Sequence, residues 1–211
     1  TLRSLPILQG MLRRGFTTVR DAGGAGLPLK QSIEAGLAQG PRLFVAGRAL
    51  SQTGGHGDMN AQSDFTGGGV CACCVRVGAI ARVVDGVDAL RKAVREEFQM
   101  GADQIKIMAS GGVASPTDPV GAFGYSEDEI RAVVAEARGR GTYVMAHAYT
   151  PAAIERAVRC GVRTIEHGNL VDADTARVMA EHDAFAIPTL VTYEALANEG
   201  AKFGLPPDSV V

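Results

Sequence analysis

The feature that most constrains this chain is a strict alternation of helical and strand-length segments. Helical patterns occupy 4–15, 28–40, 85–101, 125–141, 149–161 and 171–182. Their ends carry stop and start signals. Ser126 stands three residues before Glu129 as a capping box. Thr150 precedes Pro151 as an N-cap, and Asp172 opens a further helix. Gly15, Gly40, Gly101, Gly141 and Gly161 close their helices. A short apolar run follows each: FTTVRD (16–21), RLFVAG (42–47), DQIKIMA (103–109), YVMAHA (143–148), TIEHGN (164–169) and FAIPTL (185–190). Helix–strand order repeated this way, with short links, requires a parallel sheet with right-handed crossovers.

Two architectures satisfy that order. A doubly wound dinucleotide-binding sheet should carry a glycine fingerprint after its first strand, and RDAGGAG (20–26) has the wrong spacing for it. Polar residues at the ends of several different strands instead match the mouth of a (β/α)8 barrel. About six βα units are visible, so the expectation is an incomplete barrel of TIM type forming one domain over 1–211. The segment 48–84 reads as a long loop on the same face as the strand ends.

Composition narrows the partners. With 21 basic and 23 acidic residues the net charge is −2, and no basic stripe favours nucleic acid or a membrane surface. No apolar run reaches membrane-spanning length. Cys71, Cys73 and Cys74 crowd into VCACCV, and Cys160 stands alone, which does not give the two spaced pairs of a structural zinc site. Free thiols in a reducing, cytoplasmic compartment are expected. The chain opens with Thr1 inside a helical pattern, so an upstream segment, with any targeting signal it carries, is expected.

Three strand-borne residues carry the chemistry. Lys106 sits between Ile105 and Ile107, so alternation sends it to the face opposite the isoleucines. His147 ends the following strand and His167 the one after. If the isoleucines meet the helices, all three converge on the barrel mouth. Imidazoles are the commonest zinc ligands. A buried lysine joins them when CO₂ converts its amine to an anionic carbamate, whose two oxygens can bridge metals about 3.5–4 Å apart. Glu166, next to His167, is expected to point the other way, into helix packing. Arg20 and Asp21 suggest an ion pair or a turn, and His182 a helix C-terminal cation. Asp58 and Asp118 fall in loops bordering the mouth.

The wording and order of GFTTVRDAGG, GRALSQTGGHGD, GADQIKIMASGG, HAYTPAAIERAVRCGVRTIEHG and PTLVTY resemble the amidohydrolase superfamily. The resemblance spans nearly the whole chain. It is strongest to the Xaa-Pro dipeptidase (prolidase) subgroup, related to imidazolonepropionase and arginine carboxypeptidase. It implies a binuclear zinc barrel that hydrolyses dipeptides or N-acyl amino acids. Lys106 would be the carboxylated bridge between two zinc ions, and His147 and His167 would bind one of them. Tyr149 and His56 match substrate-facing positions near the oxyanion and carboxylate of a bound dipeptide.

Such enzymes also carry a His-x-His pair on the first strand and an aspartate on the last. Neither occurs in this sequence. The expectation is therefore the central part of an enzyme, inactive by itself. Its unpaired edges near FTTVRD and FAIPTL should favour homo-oligomers. The competing reading is a barrel fragment that serves only for binding or assembly.

Overall fold

A computed structural model describes residues 2–58, 80–113 and 118–204. The elements run α1 (Leu5–Arg13), β1 (Thr18–Arg20), α2 (Leu27–Glu34), β2 (Arg42–Phe44), β3 (Ala49–Ser51), β4 (Ala81–Val83), α3 (Val87–Gln99), β5 (Ile105–Met108), α4 (Glu127–Gly139), β6 (Val144–Ala148), α5 (Pro151–Arg159), β7 (Thr164–His167), α6 (Ala173–Glu181), β8 (Phe185–Ile187) and α7 (Leu190–Glu199). All strand pairs are parallel. One sheet has the order β4-β3-β5-β6-β7-β8, and β1-β2 form a second. The alternating helices and strands wrap as a partial (β/α)8 barrel.

The caps act as expected. Ser126 and Glu129 bond reciprocally, with the Ser126 amide donating to Glu129 at 2.8 Å. Asp172 accepts from the Thr175 amide at 2.8 Å. These contacts satisfy amides that the helix itself leaves open.

The segment 48–84 departs from the loop expectation, because it contributes β3 and β4. β2 and β3 are separated by a break at Gly47, whose φ is +68°. A Cβ there would meet Glu97 Oε2 at 2.5 Å, so the turn needs glycine on both counts. Below the break the Asp103 amide donates to Val45 O at 2.7 Å, and above it Leu50 pairs with Ile107. β2 and β3 therefore flank β5 in succession. β8 is an edge as expected, but β4 rather than β1 closes the other end of the larger sheet. FAIPTL is also shorter as a strand than expected, since β8 stops at Ile187 before Pro188.

The main core lies between the sheet and the helices. Leu50, Ile105, Ile107, Val144, Ala146 and Ile165 pack there against Leu90, Ile130, Val133 and Ile154. Each large apolar side chain buried this way contributes about 1.5–3 kcal/mol. A smaller cluster joins Leu8, Leu29, Leu43 and Val45 under α1 and α2. Cys160 is a free buried thiol; Cys71, Cys73 and Cys74 lie outside the described residues. Among the described residues no helix is long and apolar enough to cross a membrane.

Candidate active site

Sheet register decides which side chains face the interior. Ile107, Ala146 and Ile165 are register partners and all belong to the helix-side core. Residues one step away must point inward. Lys106, Met145 and Thr164 form one inward layer, and Met108, His147 and Glu166 form the next layer toward the mouth. Lys106 is buried, and its Nζ reaches up to Met108 Sδ at 3.5 Å.

His167 should by this count point outward, because its register partner Ala148 belongs to the helix-side core. Its backbone is left-handed, with φ +77°. The ring packs edge-on to His147, with centroids 4.9 Å apart, and lies 5.6 Å from the rings of Tyr149 and Tyr193. Such strain in a non-glycine residue is uncommon and concentrates at functional sites.

The same count corrects the expectation for Glu166. It points into the barrel, not into the helices. Its carboxylate accepts from Arg20 Nη2 at 2.8 Å and from Thr164 Oγ1 at 2.7 Å. Arg20 is thus an ion-pair residue, and Asp21 caps a turn by accepting from the Gly23 and Ala25 amides. His182 stands at the C-terminal end of α6, with Nδ1 3.0 Å from Val178 O.

Burial sets the protonation of the inner groups. It pushes the Lys106 ammonium down to about 8; Glu166 opposes the shift and Arg20 adds to it. Roughly a tenth of the lysine is then free amine at pH 7, the form that reacts with CO₂. Burial, with Lys106 and His56 nearby, holds His147 at about 2 and His167 at about 4. Both imidazoles are therefore neutral and keep a lone pair at neutral pH.

Their hydrogen bonds select which nitrogen keeps it. His147 Nε2 lies 2.9 Å from Gly111 O, which only accepts, so Nε2 carries the proton. Nδ1 is left with the lone pair. His167 Nδ1 lies 3.0 Å from Thr189 Oγ1, and that hydroxyl donates to Ile187 O. Nδ1 therefore donates, and Nε2 keeps the lone pair. Metal-ligating histidines are oriented by such bonds at the second nitrogen. Two oriented lone pairs beside a partly deprotonated lysine fit three positions of a metal pair. Among the described residues no cluster of three or more His, Cys, Asp or Glu completes it.

Two further predicted residues join the cluster. His56, in the loop after β3, stacks on His147 with centroids 4.2 Å apart. Gly112 makes room for it, since a Cβ there would lie 2.1 Å from the ring. Burial lowers the His56 pKa, and Lys106 adds to the fall. Asp118 opposes it from 3.9 Å, and its Oδ1 is buried with no hydrogen-bond partner among the described residues. Asp58 faces its own loop, accepting from the Gly54 amide at 2.9 Å. Tyr149 is buried, its hydroxyl 2.5 Å from that of Tyr193 on α7. Burial raises the Tyr149 pKa, so the phenol keeps its proton.

All five predicted site residues are thus brought together. Tyr193 was not singled out, although it ends the PTLVTY stretch; α7 was not expected beyond Pro188. A larger cavity of about 500 Å³, lined by Leu27, Pro28, Met100 and Arg48 among others, contains none of the five.

The profile of the Amidohydrolase family matches residues 6–209. The chain belongs to the amidohydrolase family. Its fold is that of solved amidohydrolases: one crystal structure of an amidohydrolase is 75% identical, with a TM-score of 0.93, over 100% of this chain and 51% of that one. A prolidase complexed with N-methylphosphonate-L-proline is 67% identical, with a TM-score of 0.92, over 99% of this chain and 51% of that one. The Aspergillus niger ochratoxinase is 32% identical over 205 residues, which is 90% of this chain and 41% of that protein. The chain therefore spans about half the length of these amidohydrolase relatives.

Proposed function

We propose that the protein containing this chain is a metal-dependent hydrolase of amide C–N bonds, acting as an Xaa-Pro dipeptidase on dipeptides or N-acyl amino acids. The observation that carries the reading is the inward set Lys106, His147 and His167, with both imidazoles neutral and oriented. Likeness to a prolidase over almost the whole chain supports the substrate class.

Lys106, as its carbamate, would bridge two zinc ions, and His147 and His167 would hold one of them. Zinc supplies Lewis acidity, activating water near neutral pH and polarising the scissile carbonyl. The chain's own residues orient the substrate. Tyr149 keeps its proton and donates from the mouth to the carbonyl oxygen as negative charge develops there, a contact worth about 3 kcal/mol in comparable sites. Tyr193, bonded to Tyr149, holds the phenol in place. His56, fixed between His147 and Gly112, binds the substrate carboxylate.

The reading includes a cytoplasmic location and a homo-oligomer. The exposed Phe185 and Ile187 of β8 leave an apolar edge for a further strand or a second copy to cover. The test uses the full-length protein and Xaa-Pro dipeptides. Hydrolysis should vanish on chelation and return with zinc; turnover that survives complete metal removal would refute the proposal.

A further inference from the structure

The barrel end away from the mouth carries a cluster of basic side chains that the hydrolase reading does not use. Arg138 lies in the last turn of α4, Arg159 ends α5 and His182 follows α6. Arg163 immediately precedes β7, whose other end carries His167. With Arg131 of α4 these side chains line one cavity of about 240 Å³. Among the described residues no carboxylate lines it.

Local sequence builds this recess. Arg131 and Arg138 are spaced i and i+7, so they share one face of α4. Gly161, with φ +98°, follows α5 and leaves room for a guanidinium, since a Cβ there would lie 2.8 Å from Arg138 Nη2. Arg131 Nη1 donates to Arg159 O at 3.4 Å, joining α4 to the end of α5. Two of the arginines have carboxylate partners one turn away on their own helices: Arg131 with Glu127 at 3.0 Å and Arg159 with Glu155 at 3.4 Å. Both pairs are exposed, and such pairs are worth little. Among the described residues Arg138 and Arg163 form no salt bridge; Arg163 lies over the Phe185 ring instead, 4.9 Å from its centroid.

We propose that this cavity is an anion site whose ligand is a phosphate group, free or carried by a small phosphomonoester. Guanidinium forks take phosphate oxygens in pairs. Arg138 and Arg163 come from different elements, and both can close on one anion without giving up a carboxylate. Helix C-termini favour cations in any case. That accounts for Arg138 and Arg159, each in the last turn of its helix, but not for Arg163, which precedes a strand, or for Arg131, which lies in the N-terminal half of α4. A bound phosphate would tie α4, α5 and the start of β7 together at the face opposite the metal-binding residues. The inference does not depend on the hydrolase reading.

The test is calorimetric titration of inorganic phosphate into the full-length protein. The protein is first freed of metal, so that metal at the mouth does not take up phosphate, and chloride holds the ionic strength constant. The wild type should bind phosphate saturably with a Kd of about 1 mM or tighter. Arg138→Gln and Arg163→Gln should each weaken binding by about threefold or more, and together by about tenfold or more. Both side chains are exposed, so the variants should fold, and circular dichroism checks that they do. Glycerol phosphate in a parallel titration separates the two sources: tighter binding than phosphate assigns a phosphomonoester, and equal or weaker binding assigns free phosphate. No saturable binding to the wild type, or wild-type affinity in the folded single and double variants, would overturn the proposal.

Discussion

Arg20 on β1 and Glu166 on β7 meet across the barrel interior, Nη2 to Oε1 at 2.8 Å. They are 146 residues apart in sequence. Arg20 also donates to Thr164 Oγ1 at 3.0 Å, in the layer that holds Lys106. The pair ties the two-stranded sheet to the larger one across the two inward layers that hold Lys106 and His147.

Removing only the carboxylate should therefore be worse than removing both charges. Glu166→Ala leaves a half-buried guanidinium without its partner and should destabilise the fold by about 2–4 kcal/mol. Arg20→Met combined with Glu166→Leu should recover much of that loss. Urea unfolding of the single and double variants measures the coupling; strictly additive effects would show that the pair does not act as a unit.

Tyr149→Phe should lower kcat by about 10²-fold or more with metal content unchanged, since it removes the donor and nothing that holds metal. Tyr193→Phe should have a smaller effect on kcat, because it removes only the group that holds the donor. An unchanged rate in Tyr149→Phe would reduce that residue to packing.

Gly112→Ala should expel His56 from its stack on His147, because the added Cβ would overlap the ring. kcat/KM should fall by about tenfold or more, mainly through a higher KM. Gly121→Ala is the control from the same connection, with nothing within 4 Å of its Cβ. Equal behaviour of the two variants would contradict the account of His56.

Metal-free protein should lose stability as pH falls below about 6.5. His147 and His167 are held at about 2 and about 4 when folded. Above 6.5 both states are neutral there and the contribution is fully present. Below it the unfolded chain takes up protons that the folded chain refuses. His147 gives a slope of about 1.4 kcal/mol per pH unit; His167, more exposed, adds less because solvent screens it. Denaturant titrations from pH 7 to 5 measure the slope, and His147→Asn should reduce it. A slope unaltered by that substitution would contradict the buried neutral state.

What the sequence revealed and what it hid follow from local chemistry. β5, β6 and β7 were legible because β-branched and apolar runs follow capped helices, and the position of Lys106 followed from its isoleucine neighbours. β3 and β4 were hidden because each spans three residues in a glycine-rich stretch, and β3 follows the kink at Gly47. His167 was placed at the mouth from its position at a strand end, without the left-handed backbone that brings it there. Applying alternation backward from it sent Glu166 to the wrong face. Tyr193 was hidden behind Pro188, because the helix that carries it begins after a left-handed Thr189.

The most direct test is zinc content, measured by elemental analysis of the full-length protein and its Lys106→Ala variant alongside Xaa-Pro turnover. The account predicts about two zinc ions per wild-type protomer, with the pair and the activity both lost in the variant. Full zinc occupancy with normal turnover in Lys106→Ala would contradict it.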